Sequence, residues 1–126
     1  MRRHLLTLGL LAAATLVLPA AEANTAWPER PIHLVVPTGA GGITDQLARI
    51  LGERLGTILG QPVVIENRAG ASGVIGTARV AQATPDGYTL LMAFPSHVAN
   101  PSTQKSLPYD TVKDFAPVSK VGQVAQ

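Results

Sequence analysis

Two glycine-rich segments carry the chemistry most open to this chain. Thr38-Gly39-Ala40-Gly41-Gly42-Ile43-Thr44-Asp45 follows the apolar run Ile32-His33-Leu34-Val35-Val36, and Arg68-Ala69-Gly70-Ala71-Ser72-Gly73 follows Val63-Val64-Ile65-Glu66-Asn67. A glycine-rich turn at the start of a helix leaves backbone N–H groups without partners. It also lets an anion approach them closely, with the helix dipole adding attraction. Two such turns on neighbouring parallel strands would aim at one spot, which suggests a pocket for a small anion.

Within the first segment, Gly41 and Gly42 open the helix, and the Thr44 hydroxyl can cap it or touch a ligand. Asp45 fits an anion site poorly. It is expected to accept bonds from loop N–H groups and fix the loop's shape, or else to pair with the ammonium group of an amino-acid ligand. Arg68 is the cation nearest the second segment, although a long surface arginine is more often simply solvated. A third loop, Pro95-Ser96-His97, adds Ser96 and His97 as ligand-binding candidates.

Other chemistries fit less well. The phosphate-binding Walker pattern needs a Lys-Ser/Thr pair where the first loop has Ile43-Thr44, and Gly39-Ala40-Gly41 lacks the third glycine of the dinucleotide fingerprint. Gly70-Ala71-Ser72-Gly73-Val74-Ile75-Gly76 has the wrong spacing for it. Ser96-His97 is not the Gly-x-Ser-x-Gly elbow that exposes a nucleophile. No two histidines have metal-ligand spacing, and Asp110 with Asp114 reads as a solvated face. A binding module without catalysis, metal or cofactor is the leading expectation. The alternatives are a secreted hydrolase or isomerase using Ser96 or Asp45, and a truncated product without function.

The elements that must position these loops follow from periodicity. Ile32 to Val36 is continuous apolar sequence apart from His33, as in a strand buried on both faces of a parallel sheet. Ile43, Leu47, Ile50, Leu51, Leu55, Ile58 and Leu59 form one stripe at helical spacing, and Gly60 with Pro62 supplies the stop. Val63 to Ile65 gives a second strand, a helix is expected from about Ser72 to Ala83, and Thr89 to Phe94 gives a third strand. A short helical turn over Ser96 to Asn100 should end at Pro101, Leu107 to Asp110 should turn, and Phe115 to Val121 reads as a strand. The βαβαβ order predicts an α/β fold, with right-handed crossovers and helices on both faces of a parallel sheet. Ligands in such sheets sit beyond the carboxyl ends of the strands.

The N-terminus stands apart. A basic start at Arg2 and Arg3, an apolar run from Leu5 to Leu18, and the small-x-small triplet Ala21-Glu22-Ala23 read as a cleaved signal peptide over residues 1–23. The apolar run falls short of the roughly 20 residues that span a bilayer. Removing Arg2, Arg3 and Glu22 from ten basic and eight acidic residues leaves eight and seven. No basic run remains that could follow a phosphate backbone, so nucleic acid is not an expected partner. The chain has no cysteine, which removes disulfides and thiolate metal sites. The run from Val118 to Gln126 reads as the beginning of another strand, as though the chain were cut short.

A string of motifs then carries a resemblance. Trp27-Pro28-Glu29-Arg30-Pro31-Ile32 precedes Val36-Pro37 through Gly41-Gly42-Ile43-Thr44-Asp45. Leu59-Gly60-Gln61-Pro62-Val63-Val64-Ile65-Glu66-Asn67-Arg68 and Gly70-Ala71-Ser72-Gly73 come next. Pro85-Asp86-Gly87-Tyr88-Thr89-Leu90-Leu91-Met92, Leu107-Pro108-Tyr109-Asp110 and Lys113-Asp114-Phe115-Ala116-Pro117-Val118 complete the series. In this order they resemble the Bug (TctC-like) family of extracytoplasmic solute receptors, the substrate-binding components of tripartite tricarboxylate transporters.

The resemblance implies a periplasmic two-domain clamshell, of which residues 24–105 are the first α/β lobe and 106–126 the crossover into an incomplete second lobe. It implies a small carboxylate, an organic acid or amino acid, held by backbone N–H groups and ordered waters at the loops Thr38–Asp45 and Arg68–Gly73. It also implies membrane transporter subunits as partners, or alternatively a receptor reporting to a sensor kinase. Two departures stand out: the family usually has an aromatic residue where this chain has Thr38, and its members are considerably longer.

Overall fold

The computed structural model describes residues 26–123. The expected signal peptide and the final three residues therefore lie outside the described residues. Three parallel strands form the centre: β1 (Ile32–Val36), β2 (Val63–Asn67) and β3 (Thr89–Leu91), in the order β2-β1-β3. The central strand is the most apolar because it alone has a neighbour on each side and cover on each face; Ile32, Leu34, Val35 and Val36 are all buried. Helix α1 (Ile43–Leu59) joins β1 to β2, α2 (Val74–Ala81) joins β2 to β3, and α3 (Pro95–Thr103) follows β3.

Side-chain alternation divides the sheet into two faces. Leu34 and Val36 cluster with Ala48 of α1 and Met92, and Val63, Ile65 and Leu90 pack against that cluster. Pro37, on the opposite side by alternation, meets Gly76 of α2. The two crossover helices thus cover opposite faces, as right-handed connections require when the chain steps first to one side of β1 and then to the other.

Helix α1 spans the residues that periodicity predicts, and it stops as expected. Gly60 takes φ 70°, ψ 13° and donates its N–H to Gly56 O at 3.0 Å. Its apolar stripe, however, does not all face inward. The residues pressed on the sheet are small: Ala48 and Gly52 are buried, and a methyl at Gly52 would come 3.0 Å from Ile65 Cδ1. Leu51, Leu55 and Leu59 flank this seam, while Ile43, Leu47, Ile50 and Ile58 are exposed. Close approach by glycine and alanine sets which side faces the sheet, and the bulkier residues are displaced to the flanks.

Four other expectations need correction. The second helix begins at Val74, two residues later than expected, because Ala71 to Gly73 form a separate turn with left-handed backbone. Strand β3 ends at Leu91 rather than Phe94, after which the Phe94 ring turns onto Gly73. Pro101 lies inside α3 instead of ending it. A proline removes a single helical donor, and Gln104 N–H still closes the last turn on Asn100 O at 2.9 Å. Finally, Phe115 to Val121 is not a strand. No neighbouring strand among the described residues supplies the ladder that its backbone would need, and Phe115 instead packs edge-on to His97 with ring centres 5.1 Å apart.

Candidate functional site

Parallel pairing places the ends of all three strands level, since Val36 is opposite Asn67 and Val35 opposite Leu91. The loops that carry Thr38–Asp45, Arg68–Gly73 and Ser96–His97 therefore leave one end of the sheet together. They also touch. A methyl at Gly73 would lie 2.7 Å from the Phe94 ring and 3.3 Å from Pro37 O, so the bases of the three loops meet at Gly73.

The first loop is shaped by a buried carboxylate. Asp45 is only 2% exposed. Its Oδ2 accepts Gly41 N–H at 2.8 Å and Arg49 Nε at 3.0 Å, and its Oδ1 accepts Asn67 Nδ2 at 2.9 Å. Those donors, Arg49 first and then the Gly41 amide and Asn67, hold its pKa down at about 2. Asn67 Nδ2 also reaches Thr38 O at 3.3 Å, and Arg49 donates to Asn67 Oδ1 at 3.2 Å, so one side chain at the end of β2 ties together both ends of the loop. Gly39, Ala40, Gly41 and Gly42 are exposed, and Gly41 has φ 87°. The first helical donor of α1 is Gln46, to Gly42 O, and no side chain caps Gly42. The amides of Ile43, Thr44 and Asp45 are consequently left without helical acceptors.

The second loop is shaped by its backbone. From Gly70 to Gly73 four consecutive residues have positive φ: 133°, 47°, 54° and 85°. Two of them, Ala71 and Ser72, are not glycine, and each costs roughly 1–2 kcal/mol in that region. The buried Asn100 of α3 holds the turn in place by donating Nδ2–H to Ser72 O at 3.1 Å. Arg68 N–H donates to Val36 O at 2.8 Å, fixing the start of this loop to β1.

The charged groups beside the loops are mostly paired. The Arg68 side chain lies back along β2 on Glu66 Oε2 at 3.2 Å, and His33 Nδ1 lies 2.6 Å from Glu66 Oε1. The hydrogen bond with His33, reinforced by Arg68, keeps Glu66 below the usual carboxylate range against the opposing effect of burial. In the third loop, Ser96 occupies the first turn of α3, and the His97 ring lies flat against Tyr109 with centres 6.3 Å apart. A cavity of ≈ 710 Å³ lies elsewhere, between α1 and the outer side of β2, lined by residues such as Gly52, Gly56, Gln61 and Val63.

Three residues that organise the loops escape the sequence reading. Arg49 sits four positions after Asp45, a spacing that pairs charges on a helix and could have drawn notice. Asn67 is a polar residue ending an apolar strand. Asn100 gives no local signal, because its partner lies 28 positions away.

Residues 47–125 match the profile of the tripartite tricarboxylate transporter family receptor. Protein BugT of Bordetella pertussis is 44% identical over 126 residues, which cover 98% of this chain and 38% of BugT. The solved structure of the periplasmic binding protein BugD is 46% identical with a TM-score of 0.70, covering 72% of this chain and 30% of that one. MatC from Rhodopseudomonas palustris, solved with bound malate, is 40% identical with a TM-score of 0.66, covering 73% and 32%. The chain spans about a third of the length of the curated relatives it matches.

Proposed function

Because this chain belongs to the family of tripartite tricarboxylate transporter receptors, we propose that it forms the first lobe of a periplasmic solute receptor. Its β1–α1 and β2–α2 loops hold one carboxylate of a small organic acid, for delivery to membrane transporter subunits. One observation carries the reading: Ala71 and Ser72 are kept at φ 47° and 54° at the end of the sheet from which the uncapped α1 also starts. Strain in non-glycine residues persists where the surroundings over-determine it, and it clusters at ligand-holding turns. Here the turn uses the amides of Gly73 and Val74 internally, on Gly70 O at 2.9 Å and on Ala71 O, and it lies at the same end of the sheet as the unpaired amides of Ile43 and Thr44. The malate in MatC supports a carboxylate as the guest.

Magnitudes bound what this lobe does alone. A helix start contributes at most about 2 kcal/mol to an anion, so two give about 4, equivalent to a millimolar dissociation constant. Micromolar capture needs about 8 kcal/mol, and the remainder must come from water exclusion beneath a second lobe. An NMR titration of the 126-residue chain with malate tests this. Millimolar binding with amide shifts centred on residues 39–44 and 70–73 is the expected result. Shifts confined to the α1–β2 cavity, or none up to about 50 mM, would remove the assignment.

A further inference from the structure

A second cluster of chemistry lies at the other end of the sheet. A cavity of ≈ 260 Å³ is bordered by Arg30, which precedes β1, by Arg79 in the last turn of α2, and by Thr84, Asp86 and Thr89 around the start of β3. All of these belong to the amino ends of β1 and β3 or to the chain that leads into them. The five residues of β1, about 16 Å of strand, therefore separate the cavity from the glycine-rich loops.

The cations of this cavity have donors to spare. Arg30 is set in place from two sides: its guanidinium lies 4.0 Å from the centre of the Tyr88 ring, and Nη2 donates to Asp86 Oδ2 at 2.9 Å. No other of its five N–H donors has a partner among the described residues. Arg79 is exposed and has no ion-pair partner among them. The carboxylate of Asp86 is already used, since Oδ1 accepts Tyr88 N–H at 3.0 Å while Oδ2 takes Arg30. Two guanidiniums against one occupied carboxylate favour an anionic visitor.

The surroundings set what kind of anion. The cavity is smaller than the roughly 300 Å³ or more of ordinary small-molecule sites, and the C-terminal end of α2 adds a negative potential that Arg79 offsets. A free anion therefore gains little there. The rim, by contrast, is aromatic. Trp27 is 49% exposed, its ring centre lies 6.0 Å from that of Tyr88, and it covers Gly87, where a methyl would come 3.3 Å from Nε1. Trp, Tyr and Arg are the residue types that anchor protein interfaces. We infer that this end of the lobe docks an acidic segment of a partner protein: a carboxylate side chain enters between Arg30 and Arg79, and an apolar neighbour of it rests on Trp27 and Tyr88. The docking does not depend on which guest the loops hold, and guest and partner can be bound together.

Trp27 is the chain's only tryptophan, so its fluorescence reports on the site. The probe is the peptide acetyl-Ser-Leu-Glu-Leu-Glu-amide, added to the 126-residue chain at low salt, with the Gln-for-Glu peptide as its neutral counterpart. The acidic peptide should change Trp27 emission saturably and shift amides within residues 27–30 and 79–89. The neutral peptide should bind about fivefold or more weakly, and Arg79→Gln should weaken the acidic peptide by about the same factor, while Arg79→Lys keeps most of the affinity. Arg79 is exposed, so both variants keep the fold. Equal binding of the two peptides, an affinity unchanged in Arg79→Gln, or no response up to about 10 mM peptide would each overturn the inference. So would a response to sodium acetate or to phosphatidylglycerol vesicles as strong as that to the peptide, which would assign the cavity to small anions or to a lipid surface. Shifts confined to residues 39–44 and 70–73 would place the peptide in the carboxylate cradle, overturning the docking while supporting the proposed function.

Discussion

The loops after β1 and β2 are both glycine-rich, yet they are held by opposite means. The first is built around charge: a buried Asp45 accepts from Gly41, Arg49 and Asn67, and its glycines face open space, with nothing within 4 Å of where a methyl would sit on Gly39 or Gly41. The second is built around crowding: a methyl on Gly70 would come 2.5 Å from Ile75, one on Gly73 2.7 Å from Phe94, and one on Gly76 2.7 Å from Arg68 O. Glycine in the first loop keeps a surface open. In the second it lets the backbone pack where no side chain fits. Composition does not separate these roles, and only the neighbours do.

Substitutions can break this contrast. Gly73→Ala should be the most damaging, because it adds a methyl against an aromatic ring at a residue whose φ is 85°. Overpacking and left-handed strain together predict about 3 kcal/mol, read as a lowered denaturation midpoint. Asn100→Ala should cost about 1–3 kcal/mol by leaving Ser72 O unpaired. It should also increase hydrogen exchange at residues 70–73 without disturbing residues 39–45.

Acid acts on the other loop. The Asp45 pKa is lowered on folding, from 3.8 to about 2, so its contribution to stability is complete above pH 3.8 and is lost as the pH falls toward 2. Glu66 and Asp110 also titrate below their usual range, so the signature of Asp45 is the difference from Asp45→Asn. The decline in melting temperature across that window should be shallower in the variant, and curves of equal slope would contradict the Asp45 network. Smallest of all, Gly39→Ala should shift stability by no more than about 0.5 kcal/mol. Gly41→Ala, with the same open surroundings but φ 87°, should cost about 1 kcal/mol.

The legible part of the fold is the part governed by local rules. Ile32–Val36 and Ile43–Leu59 have the boundaries that hydrophobic runs and the Gly60 stop predict, because burial on both faces and helical periodicity leave direct marks in a sequence. What the sequence hides is set by contacts between distant residues. The second helix starts late because Asn100 and Phe94 stabilise a left-handed turn over Ala71 and Ser72, and neither partner is local. An apolar stripe at helical spacing ordinarily faces a core, but on α1 Ala48 and Gly52 take that place because small residues permit closer packing on Val63 and Ile65. Among candidate site residues, the two glycine loops are visible as motifs. The retraction of Arg68 onto Glu66 emerges only from three-dimensional neighbours.

That retraction has a consequence for capture itself. With Arg49 and Arg68 each neutralised by an adjacent acid, the mouth of the proposed cradle projects little long-range field, and a charged guest would arrive by unaided diffusion rather than by steering. Uptake built this way would change little between dilute and briny surroundings, because mobile ions screen attraction at a distance but scarcely weaken amides already touching the guest.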